Sequence, residues 1–244
     1  MRQQSIARLS DLRIRKSARD FLVMHFLIND LQQTIQQYSN GAVLDIGCGN
    51  KPYEEMFAGN TTSYTGCDVV QSDKNKVDVI CPATDLKFPA ENFDTVFSTQ
   101  VIEHVDDPAK MLSEANRVLK MNGHLILSAP FCWELHEEPY DFYRYSKYGL
   151  KAMLEKAGFE VLKIKPNGGK WAAVVQLQIN IIYSGFASRR FSSRIMKFLF
   201  TKLGFTSLFN SVGLWLDRRS NDDLLTLNYV VAARKKTSLH EAGQ

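Results

Sequence analysis

The sequence lacks several features that mark whole classes of protein. No run of roughly 18 or more apolar residues occurs in its 244 residues, so no helix long enough to span a bilayer is expected. The four cysteines, Cys48, Cys67, Cys81 and Cys132, contain no C-x-x-C pair. That argues against a zinc site or a disulfide framework, and reads instead as small apolar residues in a reducing cytoplasm. Neither an internal repeat nor a low-complexity tract is present. Met1 is followed by polar residues of mixed charge, so no secretory leader is expected. One absence is local. From Val161 to Leu216 there are eight Lys or Arg and no Asp or Glu, which leaves 22 basic against 26 acidic residues elsewhere. A chain of net charge +4 therefore combines a basic stretch with a net-acidic remainder.

What is present describes a folded domain. The chain is 45% hydrophobic and 23% charged, ordinary values for a globular protein of this length. Phe21, Met24, Ile28, Leu31 and Ile35 recur at three and four, predicting a helix from about Ser17 to Tyr38. Strands are predicted at "AVLDI" (42–46), "SYTGCDVV", "VDVICP", "FDTVFST" (93–99), "HLILSAP" and "FEVLKIK", with a last one in "LTLNYVVAARKK". Between them lie predicted helices. One begins near Pro52, another runs from Pro108 to Lys120 and ends at Asn122-Gly123, and a third is capped by Ser146 and stops at Gly158. Alternating strands and helices mean a Rossmann-like, doubly wound α/β fold with a mostly parallel sheet of seven strands. The expected organisation is a helical segment at 1–40, a core at 41–166, an apolar and basic insertion at 167–220, the last strand at 221–236 and a tail at 237–244.

Gly47 and Gly49 follow the first strand directly, where a ligand can lie against the backbone. Asp68 stands 19 residues after Gly49, at the end of the second strand, the place from which an acid can accept both hydroxyls of an adenosine ribose. A dinucleotide site would carry a third glycine at position 52, but the residue there is Pro52. Asp45 and Asp68 make the pocket acidic, which is poor for a diphosphate and suits a cation. The ligand reads as a positively charged adenosine derivative.

The stretches "VLDIGCGNKPYEEMF", "YTGCDVV" and "DLKFPAENFDTVFSTQVIEHVDDPAKMLSEANRVLKMNGHLILSAP" resemble, in order, the class I S-adenosylmethionine-dependent methyltransferases, in the broad group related to quinone-biosynthesis enzymes. The "P-x-D-F-Y-R-Y-S" stretch also resembles bacterial surface-glycan methyltransferases. The resemblance implies S-adenosyl-L-methionine as cofactor. It implies that Asp45, Ile46, Gly47, Cys48 and Gly49 surround its amino-acid end, that Asp68 binds the ribose and that Val69 packs on the adenine. It further implies that Asp85 and Leu86 grip the adenine edge and that Gln100 and Val101 lie near the sulfonium. Some quinone-type relatives hold a divalent metal with a second acid three residues before a Glu-His pair. Here that residue is Gln100, so no metal is expected.

Methyl transfer to a hydroxyl is helped by a general base, and histidine suits proton removal near neutrality. His104, after the fourth strand, and His136, after the fifth, are the catalytic candidates. Trp133, Tyr140, Asp141, Tyr143 and Arg144 surround His136 in sequence and suit a ring-bearing or sugar-like acceptor. The opposing readings are pocket-shaping for His104 and a merely structural loop, with Arg144 paired to a carboxylate, for the rest. His25, His124 and His240 carry no assigned role. Residues 171–216 are read three ways: a lid, a homodimer surface, or an element lying on the inner face of a membrane. Arg190, Arg194 and Lys197 would then form a basic stripe. Their first part, with Gln176, Gln178 and Asn180 alternating with apolar neighbours, also has the pattern of a strand. No nucleic-acid partner is expected. The expected activity is O-methylation, in the cytoplasm, of a small molecule or glycan, free or lipid-linked. The rivals are a nicotinamide-dependent oxidoreductase, opposed by Pro52, and a non-catalytic scaffold that keeps the cofactor fold.

Overall fold

A computed structural model of the chain describes residues 9, 11–187, 191–220, 222 and 224–236. Arg190 of the expected basic stripe, His240 and the 237–244 tail lie outside them. The elements run α1 (Phe21–Tyr38), β1 (Gly41–Ile46), β2 (Thr61–Asp68), β3 (Val79–Ile80), β4 (Phe93–Thr99), α2 (Pro108–Val118), β5 (Leu119–Pro130), α3 (Lys147–Lys156) and β6 (Phe159–Asn167). They continue through α4 (Lys170–Ser184), α5 (Phe191–Lys202) and α6 (Phe205–Arg219) to β7 (Asn228–Lys235). One seven-stranded sheet has the order β3-β2-β1-β4-β5-β7-β6. All pairs are parallel except those of β7, which is antiparallel to both β5 and β6. This is the expected α/β architecture. The order reverses direction between β1 and β4, and in such sheets that point, beyond the strands' carboxyl ends, is where ligands bind.

Alternating side chains of the strands feed two cores. One face buries Leu44, Val96, Leu125 and Val231 under Met111, Leu112, Leu150 and Leu154 of α2 and α3. The other buries Val43, Phe97, Ile126 and Val230 under Leu27, Leu31 and Ile35 of α1. Helix ends follow their sequence signals. Asp107 accepts from the Lys110 amide at 2.9 Å ahead of Pro108, and Ser146 Oγ accepts from the Gly149 amide at 3.2 Å.

Four expectations need correction. No α-helix follows Pro52. The chain makes only a short 3₁₀ turn at Glu54–Phe57, because Tyr53 and Phe57 are drawn under the sheet against Phe97, with ring centroids 5.5 and 5.2 Å away. The third strand shrinks to two residues, since it pairs only with the end of β2. Strand β5 begins at Leu119, so Asn122-Gly123 lies inside it; Asn122 has φ 62°, and the pairing with β4 shifts register there. Gln176 and Asn180 are helical, not extended. Both are buried on one face of α4, where Gln176 Nε2 donates to the Arg19 carbonyl at 2.8 Å and Gln176 Oε1 accepts from the Val23 amide at 3.3 Å. Gln178, between them, is exposed, so only the buried pair serves the docking of α4.

Helices α4 and α6 pack together on α1, which puts the apolar and basic segment outside the sheet layers. Gly213 of α6 permits this approach: a Cβ there would lie 3.0 Å from Leu22 and 3.2 Å from Val175.

Candidate active site

The turn after β1 is built from backbone. Gly47 has φ 78°, and a Cβ at that position would lie 2.4 Å from Val101 Cγ2, so only glycine fits there. The amides of Gly47 and Cys48 both donate to the Cys67 carbonyl, at 2.8 and 3.1 Å. The Gly49 amide donates to Asp68 Oδ2 at 3.2 Å, tying the turn to the end of β2. Asn50 Nδ2 donates to Asp73, which draws the loop after β2 over the same turn. Asp45 is buried and accepts from the Tyr64 hydroxyl at 2.6 Å. Burial pushes its carboxyl up to about 7, against the opposing pull of that hydrogen bond, and nearby Asp68 pushes the same way as burial.

Two cavities meet at this turn and share Gly47, Thr99, Gln100 and Glu137. The larger, about 430 Å³, is lined by Asp45, Gly49 and Tyr53 and by Asp20, Met24 and Leu27 at the start of α1. The smaller, about 190 Å³, is lined by Asp68, Val69, Ala83, Thr84 and Val101. Among the described residues neither has a lysine or arginine in its lining, while both carry carboxylates. A diphosphate would have no countercharge among these residues. A ligand with a sugar at one end and cationic groups at the other would meet Asp68 at the first and Asp45 at the second.

Comparison with known proteins agrees with that chemistry. Residues 44–127 match the family described as "Methyltransferase domain". The chain is 27% identical over 201 residues to a ubiquinone biosynthesis O-methyltransferase of Azorhizobium caulinodans, covering 68% of this chain and 79% of the relative. It is 27% identical over 132 residues to the chloroplastic 2-methyl-6-phytyl-1,4-hydroquinone methyltransferase 1 of Oryza sativa subsp. japonica, covering 49% of this chain and 35% of the relative. The chain thus spans about a third of the second relative's length. Among solved structures, the phosphoethanolamine N-methyltransferase 2 of Haemonchus contortus, in complex with S-adenosyl-L-methionine, superposes with a TM-score of 0.53. It has 18% identity, with 91% of this chain and 58% of that chain covered. Residues 44–127 form the methyltransferase domain of an S-adenosylmethionine-dependent enzyme.

In this methyltransferase the two candidate histidines, far apart in sequence, come together. The rings of His104 and His136 meet edge to face with centroids 4.7 Å apart. His104 Nδ1 lies 2.7 Å from the Tyr140 carbonyl, and His136 Nδ1 lies 3.2 Å from the Glu134 carbonyl and 3.3 Å from Asp141 Oδ2. Each ring is therefore fixed through its Nδ1 side. His136 lines the larger cavity and His104 the smaller. Below them Glu103 is fully buried, and among the described residues neither carboxyl oxygen has a hydrogen-bond partner. Burial pushes that carboxyl up to about 8. Glu103, His104 and His136 present ligand atoms within 4.8 Å of one another, a donor set of the kind that can hold a divalent ion. Gln100 lies outside it, with its side-chain amide donating to Ser128 Oγ at 3.0 Å.

The remaining candidates divide. Asp45, Gly47, Cys48, Gly49 and Gln100 line the larger cavity, and Asp68, Val69, Gln100 and Val101 the smaller. Asp85 and Leu86 line neither: Asp85 pairs with Lys87 at the surface, Leu86 is buried in the core, and Ala83 and Thr84 take their place. In the loop after β5, Arg144 grips Asp141 with both terminal nitrogens, at 2.6 and 2.7 Å, and holds its carboxyl down to about 2. Trp133 packs against Val23, Ala172 and Leu227, and the Tyr143 hydroxyl donates to the Asp106 carbonyl. Trp133, Tyr140, Asp141, Tyr143 and Arg144 all stand off the cavity lining; the loop presents His136 and Glu137 instead. Sequence reasoning missed Asp20, Met24 and Tyr53. Met24 carried only the signal of an apolar helix stripe, which says nothing about which ligand it faces.

Proposed function

We propose that this methyltransferase O-methylates a small hydroxyl-bearing molecule or glycan, free or lipid-linked, with His104 and His136 serving the departing proton. The bound cofactor supplies a methyl group on a sulfonium. What this chain must add is alignment of the acceptor, exclusion of water and a place for one proton. The observation that carries the reading is the histidine pair, held by its Nδ1 contacts at the junction of the two cavities. Met24, Leu27 and Tyr53 give the larger cavity an apolar wall beside Asp20 and Asp45, which suits a ring or sugar carrying a few polar groups. The lack of basic residues in the described lining counts against a nicotinamide dinucleotide.

The test is incubation with methyl-labelled cofactor and cell extract, with labelled products identified by mass spectrometry. A hydroxyl acceptor should emerge, and His136→Ala or His104→Ala should slow turnover by about 10²–10⁴ with little change in cofactor affinity. If neither variant loses tenfold, alignment does the work and the proton role is withdrawn. No metal is invoked, so turnover should survive exhaustive chelation. Loss on chelation, restored by a divalent ion, would move the role to the Glu103–His104–His136 cluster.

A further inference from the structure

The outer surface of α6 carries a feature that methyl transfer does not use. Leu208, Val212 and Trp215 are exposed at successive turns of one face, at 55%, 43% and 53%. Arg219 continues the row one turn on, its guanidinium carbon 3.9 Å above the Trp215 ring. Behind the row lies a cavity of about 320 Å³ between α1 and α6, where Lys16, His25, Arg218 and Arg219 converge on Phe21 and Trp215. Among the described residues no carboxylate lines it. Asp217, the acid of α6, is committed elsewhere: its oxygens accept from the amides of Gly169 and Ala172, both at 3.1 Å. Among the described residues neither Arg218 nor Arg219 forms an ion pair. Burial first, then Arg218 and Lys16, pull the His25 imidazole down, against a smaller opposite push from Asp30. The neighbouring α5 exposes Ile195, Met196 and Phe198 beside Arg194 and Lys197.

We propose that α6, with α5 beside it, docks on an anionic phospholipid bilayer, placing Leu208, Val212 and Trp215 in the interface and a lipid phosphate in the Lys16–Arg218–Arg219 cavity. Three observations select this occupant. The apolar row is contiguous with the cationic cavity, and a soluble phosphate would engage only the second. An aromatic ring stacked under an arginine suits the boundary where one end is apolar and the other wet. No helix of the described residues is long and apolar enough to cross a membrane, so the row can lie in the interface but cannot span it. None of the described residues among 170–219 lines either active-site cavity, which leaves this layer free to meet a surface. The inference does not rest on the acceptor proposed above.

The test is co-sedimentation of the full chain with vesicles of phosphatidylcholine alone or mixed with phosphatidylserine, at low and high salt. Binding should require the anionic lipid and weaken with salt. Each basic residue at such a surface is worth about fivefold in partitioning, so removing two should cost about thirtyfold. Arg218→Glu/Arg219→Glu should therefore lose at least that much, and Trp215→Ser should lose binding while keeping every charge. Lys151→Glu/Lys156→Glu on exposed positions of α3 makes the same change in net charge and should bind as wild type, with melting curves confirming that all variants fold. Equal losses in the α6 and α3 variants would reduce the effect to net charge and overturn the site. So would indifference of the wild type to phosphatidylserine, a response to inorganic phosphate without vesicle binding, or a dimer abolished by Trp215→Ser in a chain that ignores vesicles.

Discussion

Asp45 should make cofactor binding depend on pH, and the direction follows from its surroundings. The carboxyl is buried and accepts a hydrogen bond from the Tyr64 hydroxyl at 2.6 Å; burial outweighs that bond and holds it at about 7. In the free protein near neutrality it is thus about half protonated. A ligand that brings a cation to Asp45 favours the ionised form, so binding must expel the proton where one is held. Affinity should be full above about 7 and fall about tenfold, or 1.4 kcal/mol, for each pH unit below it. Binding should release roughly half a proton at pH 7 and about 0.9 at pH 6. Above pH 8 affinity should decline again, because an α-amino group of ordinary pKa, about 7.7–8.0, loses its charge there. Calorimetry of S-adenosylmethionine binding in two buffers of different ionisation enthalpy measures both quantities. Tyr64→Phe removes the bond that favours the charge, worth about 1.5–3 kcal/mol, and should move the midpoint upward by about one to two units. Asp45→Asn should abolish the acid limb. A binding enthalpy independent of buffer at pH 6–7, with flat affinity across that range, would refute the assignment of Asp45 to the cationic end.

Three further outcomes are expected. Asp68→Ala should weaken the cofactor about ten- to a hundredfold, from about 1–3 kcal/mol of unpaired hydroxyls; equal Kd values by calorimetry would remove Asp68 from the ribose site. Gly47→Ala forces a Cβ to within 2.4 Å of Val101 at a φ of 78°, so the melting temperature should fall by the equivalent of about 1–3 kcal/mol and cofactor affinity with it. Arg144→Ala leaves Asp141 without its fork. Asp141 is held down to about 2, below its ordinary value, so the stability that the pair contributes is present above pH 4 and is lost as pH falls towards 2. The variant should be about 2 kcal/mol less stable at pH 7 by denaturant titration, with the gap to wild type closing in acid, and His136, whose amide donates to Asp141, should lose its position and turnover with it.

Much of the fold is legible in the sequence because strands and helices announce themselves over a few residues. "FDTVFST" is β4 from end to end, and β2 stops at the Asp68 that its pattern predicts. The cofactor end of the site is legible for the same reason. A glycine with φ 78° and an acid at the end of the next strand are local backbone facts, fixed by which residues tolerate such positions. The acceptor end is different, since its residues come from α1, the loop after β4 and the loop after β5, brought together only when the sheet is wound. No spacing reveals that His104 and His136 meet edge to face, that Arg144 belongs to Asp141 and not to an acceptor, or that Met24 faces a ligand cavity. The alternation at Gln176, Gln178 and Asn180 fits strand and helix alike until Arg19 and Val23, just before and within α1, supply partners for Gln176 and Asn180. A side chain's period records which face it occupies. What that face meets is decided by contacts between distant segments, where burial and hydrogen bonding are settled by packing and leave no periodic trace in the chain.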